Sequence, residues 1–196
     1  MAKCAVCQAK KGKRNCPALA AAICSTCCGT QRQRQIDCPD DCPFLGAARQ
    51  YRGQKDSQRR LAAFDRELRS IIGNETAYQG MLHNIEFMIY RAYRNQADFT
   101  DAEVAEALTH ILEKGKARLG LAAEPLPEPS VTVQTIIQIV NDAARFKAAM
   151  RGQADGGMDV LKCVYRVLDS VNTHADPDNP FSYLDFIGTY VGTGPE

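Results

Sequence analysis

A mostly α-helical fold is expected for this chain, with a small cysteine-rich module ahead of an α-helical bundle. Three features predict it. Eight of the nine cysteines fall between Cys4 and Cys42. From about residue 57 onward, apolar residues recur at steps of three and four, the period of one helix face. Pro, Gly and capping signals cut that pattern into segments of helix length.

The cysteines run C-AV-C at Cys4 and Cys7, then Cys16, then C-ST-C-C at Cys24, Cys27 and Cys28, then Cys38 and Cys42. Such density has three chemical explanations. Disulfides suit exported miniproteins, but MAKCAVCQAKKGK contains no apolar signal core, so export is not indicated and the thiols stay reduced. Redox catalysis uses one reactive pair at a helix start, which eight thiols on a loop-rich segment do not resemble. Thiolates spaced C-x2-C are natural zinc ligands. Stability favours the metal too. Only Val6, Leu19, Ile23 and Ile36 are large and apolar between Cys4 and Cys42, too few to offset the entropy of about 40 ordered residues. A structural zinc supplies on the order of 10 kcal/mol of coupled folding energy. The segment is expected to fold with metal and unfold without it.

Eight thiols make two Cys4 sites with none left over, so a double zinc finger with two Zn2+ is expected. In an interleaved arrangement the knuckles Cys4–Cys7 and Cys24–Cys27 share one ion, and Cys16, Cys28, Cys38 and Cys42 hold the other. Neighbouring Cys27 and Cys28 would point opposite ways in extended backbone and so suit different ions.

The run CAVC-x8-CPAL-x4-CSTCC resembles the cross-braced, treble-clef zinc fingers of the HIT and MYND type. Cys4, Cys7, Cys16, Pro17, Cys24, Ser25 and Cys28 stand at family positions. Leu19 stands where the family has a second knuckle cysteine, and no histidine precedes Cys42; Cys27 and Cys38 are at hand as replacements. The resemblance implies that Cys28, rather than Cys27, joins Cys4, Cys7 and Cys24, so the pairing stays open here. It implies an interaction module and no enzyme. The longer run CPALAAAICSTCCGTQRQRQIDCPDDCPFL is also similar to a segment of uncharacterised small zinc-finger proteins, which carries no function with it.

The elements follow in order: a zinc finger over 1–43, a basic linker of helical spacing over 44–60, and a bundle of five to six helices over 61–196. In the linker, Phe44, Ala48 and Tyr51 share a face and are expected to dock it on its neighbours. Leu61, Phe64, Leu68, Ile71 and Ile72 stripe the next stretch, which Gly73-Asn74 ends. A helix over 75–94 carries Met81, Ile85, Met88, Ile89 and Ala92. Thr100-Asp-Ala-Glu103 is a capping box that opens a helix through Leu119, with core face Val104, Leu108, Ile111 and Leu112. Three prolines make 120–130 a loop. The stretch 131–140 is β-branched, yet Val133, Ile136, Ile137, Val140 and Ala144 keep helical spacing, so a helix is predicted. A flexible turn at 151–158 precedes an amphipathic helix from Met158. A short final helix is expected to close the bundle with Phe181, Leu184, Phe186 and Ile187.

Composition narrows the function. Hydrophobic residues at 45% and charged residues at 24% are those of a soluble globular protein. No apolar run approaches the ~20 residues that span a bilayer; a cytoplasmic protein with no membrane partner is expected. The net charge of +1 conceals an asymmetry, because residues 1–60 hold 12 Lys+Arg against 4 Asp+Glu. Cys163 reads as a small buried apolar residue, and His83 as a histidine at the core edge. None of the phosphate-binding, zinc-protease or nucleophile-elbow motifs occurs, and a Cys4 zinc has no open position to activate water. No catalytic residues and no small-molecule substrate are assigned. The expected role is a zinc-binding adaptor whose partner is another protein. The alternative is nucleic-acid binding through Lys10, Lys11, Lys13, Arg14, Arg32, Arg34, Arg49, Arg52, Arg59 and Arg60, with solvated turns as the plainer account of the same charges.

Overall fold

The computed structural model describes residues 2–96, 99–150 and 157–191, with backbone only at 96 and 147–150. The chain divides into two compact units, 1–59 and 60–196. The first contains a two-stranded antiparallel sheet, β1 (Arg14–Cys16) with β2 (Ala21–Ile23), and a short helix α1 (Ser25–Gln31). Helix α2 (Pro43–Arg69) begins in this unit and ends in the second. The linker stretch 44–60 therefore lies within one continuous helix. Gly46 and Gly53 do not interrupt it; each costs about 1 kcal/mol of helix propensity, which the 27-residue helix absorbs.

The second unit is all helix among the described residues. It holds the end of α2, then α3 (Glu75–Gln96), α4 (Asp101–Arg118), α5 (Val131–Met150), α6 (Gly157–His174) and α7 (Ser182–Val191). Helix α3 packs on α5, α6 and α7, and α4 packs on α5 and α6. Met81, Ile85, Ile89, Val104, Leu108, Val133, Ile136, Val140, Val164, Val167, Leu184 and Ile187 form one core, every one of them fully buried. The β-branched stretch after Ser130 is helical because its 3.6-residue stripe meets the α3 and α4 stripes, and burial of that face outweighs a propensity difference of a few tenths of a kcal/mol per residue. The turn expected at 151–158 lies outside the described residues as far as 156; Gly157 and Met158 belong to α6. Two apolar assignments fail. Ile72 and Phe186 are exposed: Ile72 follows the last turn of α2, and Phe186 stacks on His174, with ring centroids 3.7 Å apart. His83 is exposed and stacked on Phe87 rather than set at the core edge, whereas Cys163 is buried among core residues.

Three polar devices hold the helix ends and faces. Thr100 and Glu103 form the reciprocal capping box of α4. Beside it, the buried Asp101 accepts from the backbone N–H groups of Tyr183 (2.7 Å) and Leu184 (3.1 Å); Ser182 Oγ lies 3.0 Å from the carboxylate and donates to His174 O at 2.6 Å. The Asp101 N–H donates to Pro180 O at 2.8 Å. The start of α4 thus caps the start of α7. The buried Lys162 ammonium meets Glu67 Oε1 at 2.6 Å; that bond, ahead of the opposing effect of burial, moves the lysine pKa up.

Glu86 carries an opposite lesson. Burial, only partly offset by Tyr190, Arg166 and Tyr183, raises its carboxyl pKa. A carboxyl whose folded pKa exceeds its unfolded one opposes folding as pH rises through the unfolded value near 4.5, and the cost is complete above the folded value. Glu86→Gln is therefore expected to stabilise the helical unit at pH 7 and to lose that advantage at pH 4. Urea midpoints at both pH values measure this; a destabilised variant at pH 7 would contradict it.

Candidate metal centre

The site is built on the hairpin and helix of the first unit. The turn after Cys4 folds back so that Gln8 N–H donates to Cys4 O (2.9 Å) and Cys4 N–H to Lys10 O (2.8 Å). Ala5 N–H donates to Ala22 O (2.9 Å), which lays this knuckle against β2. Cys24 follows β2 and is the N-cap of α1, its Sγ accepting from Cys27 N–H at 3.4 Å. Cys24 N–H in turn donates to Cys4 Sγ at 3.2 Å. A helix N-terminus favours negative charge, so the second pair of thiols sits where thiolates are most easily held.

As a result the sulfurs of Cys4, Cys7, Cys24 and Cys27 all lie within 4.8 Å of one another. Cys7 Sγ and Cys24 Sγ are 4.0 Å apart. Four sulfurs at about 2.3 Å from a tetrahedral zinc are separated by about 3.8 Å, so the set fits that ion with small adjustment. All nine cysteines are free thiols. Cys4, Cys24 and Cys27 are buried while Cys7 reaches the surface.

The electrostatics of the bare sulfurs call for a cation. Hydrogen bonds from the backbone at Cys7, against the opposing effect of burial and with help from the backbone of Cys24 and Val6, bring the Cys4 thiol down to about 6. Backbone N–H groups at Lys10 and Ala9 lower Cys7 as well. Cys27 is pushed up to about 12, first by its bond with Cys24, then by burial and by the sulfurs of Cys7 and Cys4. Backbone groups thus favour the thiolate at Cys4 and Cys7, while a thiolate at Cys27 must form against repulsion from its neighbours. A divalent cation removes that repulsion and allows all four to ionise.

Cys27, not Cys28, completes this group. The interleaved knuckle pairing is the one the structure forms, and the register implied by the zinc-finger resemblance, with Cys28 on the first ion, is not. Both residues lie in α1, so their side chains diverge by the ~100° of successive helical positions rather than by alternation along a strand. Cys28 faces elsewhere and accepts from Arg14 Nη1 at 3.3 Å. Cys16, Cys28 and Cys38 belong to the same small apolar cluster as the metal-site thiols, together with Ile23 and Ile36, and Cys42 is buried nearby in sequence. Among the described residues no second group of three or more ligands is gathered as closely as the first.

Gly12 shows how tightly the hairpin closes over this centre. A Cβ there would meet Ala22 Cβ at 2.8 Å and the Ala22 backbone at 3.0 Å. Backbone cannot swing aside as a side-chain tip can, so Gly12→Ala is expected to destabilise the finger by about 1–3 kcal/mol. A chelator competition should then strip zinc from the variant at a lower chelator concentration; an unchanged curve would show that the loop yields freely.

The basic residues scatter. Arg14 turns inward over the Phe44 ring, 5.0 Å from its centroid. Lys10 donates to Thr26 Oγ1 at 3.3 Å, while Lys11 and Lys13 lie in hairpin backbone pairing. Arg49 pairs with Asp40 at 3.2 Å and Arg59 with Asp56 at 3.8 Å. Arg60 Nη2 donates to Leu119 O at 2.9 Å, closing the end of α4. Arg34 and Arg52, together with Arg32, which is bonded to the backbone oxygens of Cys28 and Phe44, line one groove. Phe44 packs on the finger, as expected for a docked linker residue, but Tyr51 is 64% exposed and joins the same groove. Sequence spacing could not distinguish the two aromatics, because both lie at helical steps from Ala48.

Among the described residues no helix is long and apolar enough to cross a membrane. No family model, no curated protein and no solved structure matches this chain.

Proposed function

We propose that this protein is a zinc-binding adaptor: a metal-folded finger, attached to a helical body, that docks on another protein and performs no chemistry of its own. The carrying observation is the gathered Cys4–Cys7–Cys24–Cys27 set. Four sulfur donors saturate a tetrahedral zinc, so such an ion holds structure and has no position left for water or substrate. The order of knuckle, hairpin, and helix starting at the second thiol pair supports a treble-clef reading of the finger.

A second Zn2+ on Cys16, Cys28, Cys38 and Cys42 belongs to the same proposal. Its support is the confinement of these thiols to one unit that has few apolar side chains to bury. Elemental analysis of the purified chain tests the metal content. About two zinc per chain, falling to about one in Cys38→Ser, supports both sites; one zinc per chain, unchanged by Cys38→Ser, removes the second. For the adaptor role, affinity capture with the intact chain should recover a protein that Cys24→Ser no longer holds. Capture that survives loss of the finger would move the docking role to the helical body.

A further inference from the structure

The surface formed by the turn after α1 and the first turns of α2 has its own chemistry, separate from the metal. Gln31 O accepts from the N–H groups of Arg34, Gln35 and Ile36 at 3.0–3.1 Å. Gln33 N–H donates to Ile36 O at 2.8 Å, with Gln33 in the left-handed region at φ 54°. This tight turn fixes the backbone that carries Arg32 and Arg34. Arg32 is pinned further, donating from Nε to Cys28 O (3.2 Å) and from Nη1 to Phe44 O (3.1 Å). On the facing helix, Ala48, Tyr51 and Arg52 fall at steps of three and four and so share one side. Together with Gly29, Thr30 and Gln33 they enclose an open groove of about 600 Å3.

Three arginines line this groove, and among the described residues no carboxylate pairs with any of them. Guanidinium groups with no carboxylate partner are free to take an anion with bidentate hydrogen bonds. A protein-binding pocket of the usual kind has an apolar centre depleted in charge, which this groove lacks. An acidic or phosphorylated peptide would satisfy the arginines but would leave Tyr51 without a role. Tyr51 presents a flat ring to solvent beside the cations, and that combination of stacking surface and basic groove is the physical basis of single-strand binding.

We propose that this groove binds single-stranded nucleic acid, with Arg34 and Arg52 on phosphates, Arg32 holding the floor, and one base stacked on Tyr51. The proposal does not depend on the adaptor reading, and the finger needs only to be folded.

Fluorescence anisotropy on the zinc-loaded full chain tests it, with labelled single strands of about 12 nucleotides in oligouridine and oligothymidine forms. A duplex of equal length and a phosphoserine peptide serve as competitors. The single strands should bind and the duplex and peptide should compete poorly. Tyr51→Ala should weaken binding by about fivefold to about a hundredfold, whereas Tyr51→Phe keeps the ring and should stay within about twofold. The double variant Arg34→Gln, Arg52→Gln should lower the slope of log affinity against log salt by about 0.7 for each arginine removed. All of these side chains are exposed, and zinc content of each variant confirms the fold. A preference for uridine over thymidine strands assigns RNA, and the reverse assigns DNA. If Tyr51→Ala binds like the parent, if the duplex competes equally well, or if the phosphopeptide displaces the strand and binds more tightly, the proposal is overturned.

Discussion

Stripping zinc from the full chain is expected to unfold the finger and leave helices α3–α7 folded. The finger's apolar cluster consists largely of cysteines, with Ile23 and Ile36 its buried aliphatic side chains among the described residues. Deprived of an ion worth on the order of 10 kcal/mol, that cluster cannot offset the entropy of ordering its chain. The helical unit has an independent core of more than twenty buried residues. Hydrogen exchange with and without chelator measures the difference. The amides of Cys4, Ala5, Lys13 and Cys28, all bonded within the finger, should lose protection, while those of Ile85, Val104 and Val164 keep it. Cys24→Ser should act like the chelator, because one sulfur is at once ligand, cap of α1 and acceptor from Cys27 N–H. Finger amides that remain protected without metal would show that the segment has a sufficient core of its own.

Replacing Asp101 with Ala should be strongly destabilising for the helical unit. Two backbone N–H groups in the first turn of α7 lose their acceptor together, while Ser182 Oγ keeps His174 O at 2.6 Å. A hydrogen bond to a charged group contributes about 1.5–3 kcal/mol, and a buried donor left unpaired costs further; loss of an N-cap alone costs about 1 kcal/mol. Allowing for relaxation and some entry of water, a loss of about 3 kcal/mol is expected, or a melting temperature lower by about 10 °C. Asp101→Asn retains one acceptor oxygen and should lose less than half as much. Thermal melts followed by circular dichroism at 222 nm compare the three proteins. Equal stability of Asp101→Ala and the parent would mean that water serves α7 as well as the carboxylate does.

These two sites differ in how much of each could be read along the chain. Cysteine spacing and apolar period revealed the mostly helical class, the finger, and the capping box at Thr100 and Glu103, because each is a local pattern spanning a few residues. The knuckles at Cys4–Cys7 and Cys24–Cys27 were legible for the same reason. Which of the adjacent thiols Cys27 and Cys28 joins the cluster was not. Cys27 and Cys28 are adjacent, and the choice depends on α1 starting at Ser25, which turns one sulfur toward Cys4 and the other toward Arg14.

What the amino-acid order determined by itself is a first unit rich in gathered thiols and a helical second one, since thiol density and a 3.6-residue stripe leave few other ways to satisfy the chain. What only the tertiary structure decided lies in contacts between distant residues. Asp101 reaches partners more than eighty positions away. Tyr51 stays in solvent while Phe44 is covered. Of ten basic residues with the same formal charge, some bond through their side chains, as Arg14, Arg49 and Arg60 do, and Arg32, Arg34 and Arg52 share one groove. Charge and spacing are properties of the sequence, but whether a cation is already partnered depends on what folding brings beside it.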